Sequence, residues 1–413
     1  MTIVKPFRGI RPTKNLASKI AALPYDVMNS EEAREITKDN PYSFLHIDRA
    51  EVDLDKSIDI HDKRVYEKAR DNLNNMINKG NFIQDEEAKF YIYRQIMKGK
   101  SQTGLVFVAS IDDYINNVIK KHEFTRKDKE EDRVNHVDYC NANTGPIFLT
   151  YRENEKISNV INNSTKERAE YDFKSEDGVR HIVWVINNKE DIKDLENLFL
   201  KVDSMYIADG HHRSASAVRV GKMRREENPN YTGKEDFNYF LAVAFPHKDL
   251  NIMPYNRVVK DLGGFTTEEF LEKLSEDFSV TKYNGSFGVS PKEKHTFGMY
   301  LEGNWYILKA RRGSFNKEDI IDSLDVSILN NNILKKILKI DDVRTSDRID
   351  FVGGIRGLKE LEKRTHEDMK VAFSMYETDI EDIMKISDIG KIMPPKSTWF
   401  EPKLRSGLFI HRI

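Results

Sequence analysis

Apolar and polar positions change period several times along the chain, and each change marks an element. Residues 1–28 read as an extended, proline-punctuated start, from Lys5-Pro6-Phe7-Arg8-Gly9-Ile10-Arg11-Pro12 to Leu23-Pro24-Tyr25-Asp26-Val27. Asn29 or Ser30 then opens a helix with Glu31 and Glu32 in its first turn, and Pro41 closes it. A long polar helix is predicted over about 55–79, stopped by Gly80. Residues 89–97 and 103–111 alternate in polarity around Lys98-Gly99-Lys100, the pattern of a β-hairpin. Residues 122–145 are dense in ionisable groups and predict a loop with a helical piece; such polar stretches between apolar elements are often functional. Strands are predicted at 146–151, 179–186 and 237–246, with a helix at about 189–200. The apolar run 205–208 is one more strand, and the helix-compatible segment 214–220 follows it closely.

After about 260 the pattern restarts. Helices are predicted at 266–277, 320–338 and 378–388, and strands at 296–301, 304–310, 348–352 and 369–375. Residues 394–407 hold two aromatics and, at Lys403 and Arg405, two spaced cations, so they are expected to pack back onto the protein. Alternating strands and helices place the chain in the α+β or mixed α/β class.

At 413 residues the chain is long enough for two or three domains. Charged residues make up 32%, above the usual ~25%, which predicts a heavily charged surface and long polar helices. The net charge of −2 argues against a nucleic-acid binder held by bulk positive charge. The single cysteine, Cys140, excludes an internal disulfide and a cysteine-rich zinc site, and no pattern near it activates the thiol. No apolar run approaches ~18 residues, and residues 1–11 lack a signal-like core, so a cytoplasmic protein without a membrane partner is expected.

The chemistry concentrates at Tyr206-Ile207-Ala208-Asp209-Gly210-His211-His212-Arg213. A strand, a glycine turn and a helix start in succession offer unpaired backbone N–H groups and the positive end of a helix dipole, which suit an anion. Arg213 adds a planar fork for phosphate oxygens, and the two histidines can donate hydrogen bonds or move protons. Asp209 can hold a metal ion or orient a hydroxyl. An ordinary strand-to-helix turn in which Asp209 merely caps the helix is the competing reading. There is no His-Glu-x-x-His, no Walker-type loop and no Gly-x-Gly-x-x-Gly opening a helix.

Several segments together resemble one family: Pro6-Phe7-Arg8-Gly9, Leu23-Pro24-Tyr25-Asp26-Val27, His122-Glu123-Phe124-Thr125, Asn143-Thr144-Gly145-Pro146-Ile147-Phe148, Ala208–Arg213, and Pro394-Pro395-Lys396-Ser397-Thr398. The match runs nearly end to end and looks like the bacterial domain-of-unknown-function family numbered 1015. The Asp-Gly-His-His-Arg turn is also similar to that of free-serine kinases built on a ParB/sulfiredoxin-like core. That resemblance implies transfer of a phosphoryl group from pyrophosphate or a nucleotide to free L-serine, with Mg²⁺ as cofactor. It maps residue by residue only onto Asp209 to Arg213, and the kinases' acidic base is not placed by motif. Members of the family carry a histidine where this chain has Asn256, so any chemistry of that histidine does not carry over.

On this reading Glu123, Asp209 and His211 are candidate catalytic residues. Gly210, His211, His212, Arg213, Arg133, Lys403 and Arg405 are candidates for phosphate, and Asp209 for the metal. Arg8, Asp26, Asn143 and Thr144 are candidates for the acceptor. Each has a plainer reading. Glu123 can be an exposed acid on a charged loop, and Asp132-Arg133 a surface ion pair worth under ~1 kcal/mol. Lys403 and Arg405 alternate, which in an extended segment points both one way, as a clamp or as a solubilising edge. His136 and His181 read as satisfied structural histidines, and Trp184 and Trp305 as core. The expected division is 1–260 with the ParB/sulfiredoxin-like core and the turn, 261–393 as a second α/β domain, and 394–413 packing back near the site. Serine, pyrophosphate or a nucleotide are the expected partners, and a homodimer is left open. Two other functions stay open: a ParB-like nucleotide switch, and a phosphoserine hydrolase or binder.

Overall fold

A computed structural model describes residues 1–413. They form two compact units, Met1–Leu250 with Pro402–Ile413, and Asn251–Glu401. The second unit begins at 251 rather than 261 because Asn251–Met253 pairs with Trp399–Glu401 inside it.

The first unit is built on a nine-stranded sheet. Its order from one edge is Ile119–Lys120, Met205–Asp209, Ile147–Tyr151, Tyr239–Pro246, Lys100–Ser110, Phe90–Met97, Arg180–Ile186 and Tyr171–Lys174, with Val4–Lys5 added against Lys100–Ser110. The central hairpin turns on Lys98 and Gly99, both at positive φ, the two-residue turn whose twist matches its strands. Because that turn takes only two residues, the second strand starts at Lys100 and not at 103. Alternate side chains such as Phe90, Ile92, Leu105, Phe107, Ala242 and Ala244 pack on Leu195 and Phe199 of the helix Lys189–Phe199. On Tyr91 and Tyr93 of the opposite parity lies Phe409.

Two helices differ from their sequence patterns. The polar helix spans Lys63–Asn78, capped by Asp62, not 55–79. Asp55 and Asp59 instead accept from the N–H groups two residues on, so 55–62 is spent in Asx turns. The polar stretch 122–145 is not mainly loop: Lys127–Cys140 is one helix. Its apolar stripe is thin, and tertiary contacts supply the rest. It packs on the helix His211–Glu227 through Val134, Val137 and Val220, with Arg219–Glu131 and Arg224–Asp138 ion pairs at 2.7 and 2.6 Å.

The second unit holds a six-stranded antiparallel sheet in the order Phe278–Tyr283, Asn304–Ala310, Thr296–Leu301, Val371–Ser374, Tyr255–Val259, Ile349–Gly353. Both faces are buried. Phe297, Met299 and Phe373 face Phe270 of the helix Thr267–Asp277, while Val258, Tyr300 and Ala372 face Leu361 of the helix Leu358–Glu367. The helix predicted at 320–338 is shorter: Asp325–Leu329 is α-helical and continues as a π-helical turn, Asn330–Lys335. Asp319 binds the N–H groups of Ile321 and Asp322 and holds the preceding residues in a turn. Helices packed on mostly antiparallel sheets make the class α+β. No helix is long and apolar enough to cross a membrane.

Candidate functional site

The strand Met205–Asp209 stays in register with Ile147–Tyr151 up to Ile207 opposite Leu149; a bulge then sets Asp209 opposite Phe148. Bulges of this kind re-aim a side chain at a strand end. Gly210 follows at φ 95°, and the helix His211–Glu227 opens with no side chain capping its first N–H groups. Glycine is required here twice over. The left-handed backbone disfavours any Cβ, and a Cβ would stand 3.2 Å from the Arg213 guanidinium.

Asp209 lies between two cations. Its Oδ2 accepts from Arg213 Nη2 at 3.0 Å, and its Oδ1 faces Lys403 Nζ at 3.4 Å. Burial pushes the carboxyl up, but Lys403 and Arg213 outweigh that and hold it at about 2. Arg213 Nη1 also donates to Pro146 O at 2.6 Å, which leaves buried Nε as its unpartnered donor. The fork expected to face phosphate is therefore folded back over the turn.

His211 is buried and meets His122 edge-on, with ring centroids 4.5 Å apart. His211 Nε2 and His122 Nδ1 have no hydrogen-bond partner. Burial first, and then the neighbouring ring, lowers His211 well below the usual imidazole range; burial takes His122 down to about 4 against the pull of Asp209. Both rings are neutral near pH 7. Glu123 Oε2 stands 3.8 Å from His211 Nδ1, and its side chain is 45% exposed. His212 points elsewhere: its Nε2 accepts from the Arg126 N–H at 3.0 Å.

A small pocket lies beside the turn, lined by Arg213, Arg133, Asn143, Thr144, Tyr25 and Asp48 among others. A second shares Tyr25, Asp48, Arg133 and His136 with it. Arg133 is no surface ion pair. It is buried, bonds Asp132 at 2.7 Å and lies 4.0 Å over the Tyr25 ring. Burial disfavours its charge, but Asp132 more than restores it. Thr144 Oγ1 donates to Asp48 Oδ1 at 2.8 Å, and Asn143 Oδ1 accepts from the Leu241 N–H at 3.1 Å. Asp26 is exposed, and its charge is felt at His212 and Arg213.

Two candidates are not brought to the turn. Arg8 Nε donates to the Asp85 carbonyl at 3.3 Å. Arg405 is buried against Asp177, Ser175 and His181. The last strand of the second unit ends at Glu401, so 402–405 is not a regular strand; Lys403 and Arg405 diverge instead of projecting together.

His136 and His181 are satisfied, by the Ile47 carbonyl and the Tyr93 hydroxyl. Trp184 and Trp305 sit in apolar clusters. Cys140 is buried, which pushes its thiol up to about 12. Buried Asn256 accepts from the Met375 N–H at 3.0 Å, an architectural bond. Asp48 escaped the sequence reading, because no local pattern surrounds it and only folding brings it to Thr144. No group of three or more His, Cys, Asp or Glu is arranged to hold a metal. Asp209 is a single carboxylate, which suits an ion that arrives on phosphate oxygens better than a resident one.

Several solved structures are similar at low level. A mutant free serine kinase in complex with ADP is 12% identical over 74% of this chain and 92% of that chain, with a TM-score of 0.36. A conserved hypothetical protein from Pyrococcus furiosus is 14% identical over 75% and 95%, TM-score 0.34. C-terminally truncated SbnI from Staphylococcus aureus is 10% identical over 74% and 87%, TM-score 0.39. Likenesses at this level carry no argument about substrate. No curated protein matches the sequence. The sequence model described as "Protein of unknown function (DUF1015)" matches residues 4–327, a span that includes the Asp209–Arg213 turn, and the chain belongs to that family.

Proposed function

We propose that this protein is a phosphotransferase that moves a phosphoryl group from pyrophosphate or a nucleotide to the hydroxyl of free L-serine. The observation that carries this reading is the uncapped N-terminus of the helix His211–Glu227, opening at Gly210 beside a pocket that Arg213 lines. The choice of serine rests on the resemblance of the Asp-Gly-His-His-Arg turn to that of free-serine kinases.

Phosphoryl transfer asks a protein mainly for positioning and charge neutralisation. The first N–H groups of the helix and the buried histidines His122 and His211 offer donors to the phosphate oxygens. Arg213 and Lys403, both now on Asp209, would exchange that carboxylate for phosphate. Asn143 and Thr144 line the acceptor side of the same pocket. The serine hydroxyl gives its proton to a carboxylate, for which Glu123 is the candidate, and its oxygen bonds to the terminal phosphorus. The bond from that phosphorus to the bridging oxygen breaks, and orthophosphate or the shortened nucleotide leaves. Mg²⁺ carried on the donor phosphates would neutralise further charge, with Asp209 the carboxylate nearest the turn.

The test is direct. The whole chain is incubated with Mg²⁺, L-serine and pyrophosphate, ADP or ATP in turn, and O-phosphoserine is sought by ³¹P NMR. Product with one donor is the expected result; no product with any of the three rejects the reading. Arg213→Ala should lower the rate by about 100-fold, the scale of losing one donor to developing charge.

A further inference from the structure

We propose that Asp48 is the anionic half of a clamp for an amino-acid zwitterion. It would take the ligand's ammonium group, with Arg133 on the same wall taking its carboxylate. The proposal deepens the phosphotransferase reading by defining what the acceptor must carry, and it rests on that reading only for what happens to the acceptor once bound.

Asp48 is buried, 5% exposed, at the end of the short helix Leu45–Asp48, and it lines both the pocket beside the turn and the second pocket that shares residues with it. Its Oδ1 accepts one hydrogen bond, from Thr144 at 2.8 Å, and its Oδ2 accepts none. His136, whose imidazole burial holds below its usual range, keeps Nε2 4.0 Å away and bonds the Ile47 carbonyl at 3.1 Å instead. The other cations that feel Asp48 have carboxylates of their own: Arg133 is paired with Asp132 at 2.7 Å, and Arg213 with Asp209 at 3.0 Å. Asp48 is thus the carboxylate of this wall with no cation of its own. A buried charge without a partner is costly, and a ligand that brings three N–H donors and a positive charge removes the cost.

Arg133 complements it. Its Nε and Nη2 both reach Asp132, and Nη1 makes no hydrogen bond. Tyr25, beneath the guanidinium at 4.0 Å, lines both pockets as well. An anion and a half-committed guanidinium on one wall are the complement of an α-amino acid, and of neither an amine nor an acid alone.

Binding to the whole chain is measured by calorimetry with four probes. L-Serine carries all three groups, and L-alanine lacks the hydroxyl and cannot be phosphorylated. Glycerate replaces the ammonium by a hydroxyl, and ethanolamine lacks the carboxylate. Serine and alanine should bind, and glycerate and ethanolamine should each bind at least about tenfold more weakly. Asp48→Asn keeps an oxygen for Thr144; it should weaken serine and alanine by at least about tenfold and leave pyrophosphate binding unchanged. The clamp is overturned if neither amino acid binds, if glycerate or ethanolamine binds as well as serine, or if D48N binds serine like the native protein. Should D48N not fold, the probe series on the native protein decides alone. Asp48-dependent alanine binding without O-phosphoserine from any donor would keep the clamp and discard the kinase. O-Phosphoserine formed by D48N at an unchanged KM for serine would do the reverse.

Discussion

Lys403 Nζ lies 3.4 Å from Asp209 Oδ1, although 194 residues separate them in sequence. The C-terminal run that delivers Lys403 is held by its own backbone: Gln95 Nε2 donates to the Lys403 carbonyl at 2.9 Å, and Ser406 and Ala22 exchange main-chain bonds. Lys403 is therefore built into the turn.

Replacing it isolates its contribution to anion binding. Lys403→Met keeps the stem and removes the charge. It should weaken pyrophosphate binding by about tenfold or more, since charge-assisted hydrogen bonds contribute about 1.5–3 kcal/mol each. Calorimetry with pyrophosphate reads this without any need for turnover. Unchanged affinity would confine Lys403 to its ion pair.

Gly210→Ala tests the turn itself. At φ 95° an added Cβ costs about 1–2 kcal/mol from the backbone alone, and it would also press on the Arg213 guanidinium from 3.2 Å. Denaturant unfolding should show at least that loss, together with weaker pyrophosphate binding. A variant as stable as the native chain would mean that the turn relaxes freely.

The buried histidines set an acid limit. His122, 2% exposed, titrates near 4 because burial disfavours its cation, whereas an unfolded imidazole titrates near ~6.5. Between those values the unfolded chain binds a proton that the folded one refuses. Stability is therefore full above about 6.5 and falls as the pH drops toward 4, by up to about 1.4 kcal/mol per pH unit for this ring. His122→Gln should flatten the measured stability-against-pH slope in that window by about one proton.

Ending the chain at Glu401 should abolish folding of the first unit. Leu408, Phe409 and Ile410 are fully buried there, Ile410 bonds Ile10, and His411 pairs with Asn143. Losing side chains of this kind costs about 2–5 kcal/mol each, against a whole-domain stability of about 5–15 kcal/mol. Near-ultraviolet circular dichroism and proteolysis would show the loss; a native-like spectrum would contradict it.

Features with a short-range cause were legible. Gly99 and Gly210 marked a hairpin turn and a helix start because positive φ is readily open to glycine. The helix start expected at Asn29 or Ser30 is at Asn29, whose side chain closes a capping box with Glu32. The polar helix Lys127–Cys140 was hidden because its support comes from ion pairs to the 211–227 helix, which no local pattern shows. The assumption that Lys403 and Arg405 share a face failed because it required a strand where the backbone is irregular.

By itself, the sequence determined the strand, the glycine turn and the helix that follows it, since backbone dihedrals depend on near neighbours. Only the tertiary structure decided which charges meet them. Lys403 reaches Asp209, Arg405 turns to Asp177, and Asp48 is buried behind Thr144. The ionic partner of a side chain is set by how distant segments close over the core, and that closure has no signature in the spacing of residues along the chain.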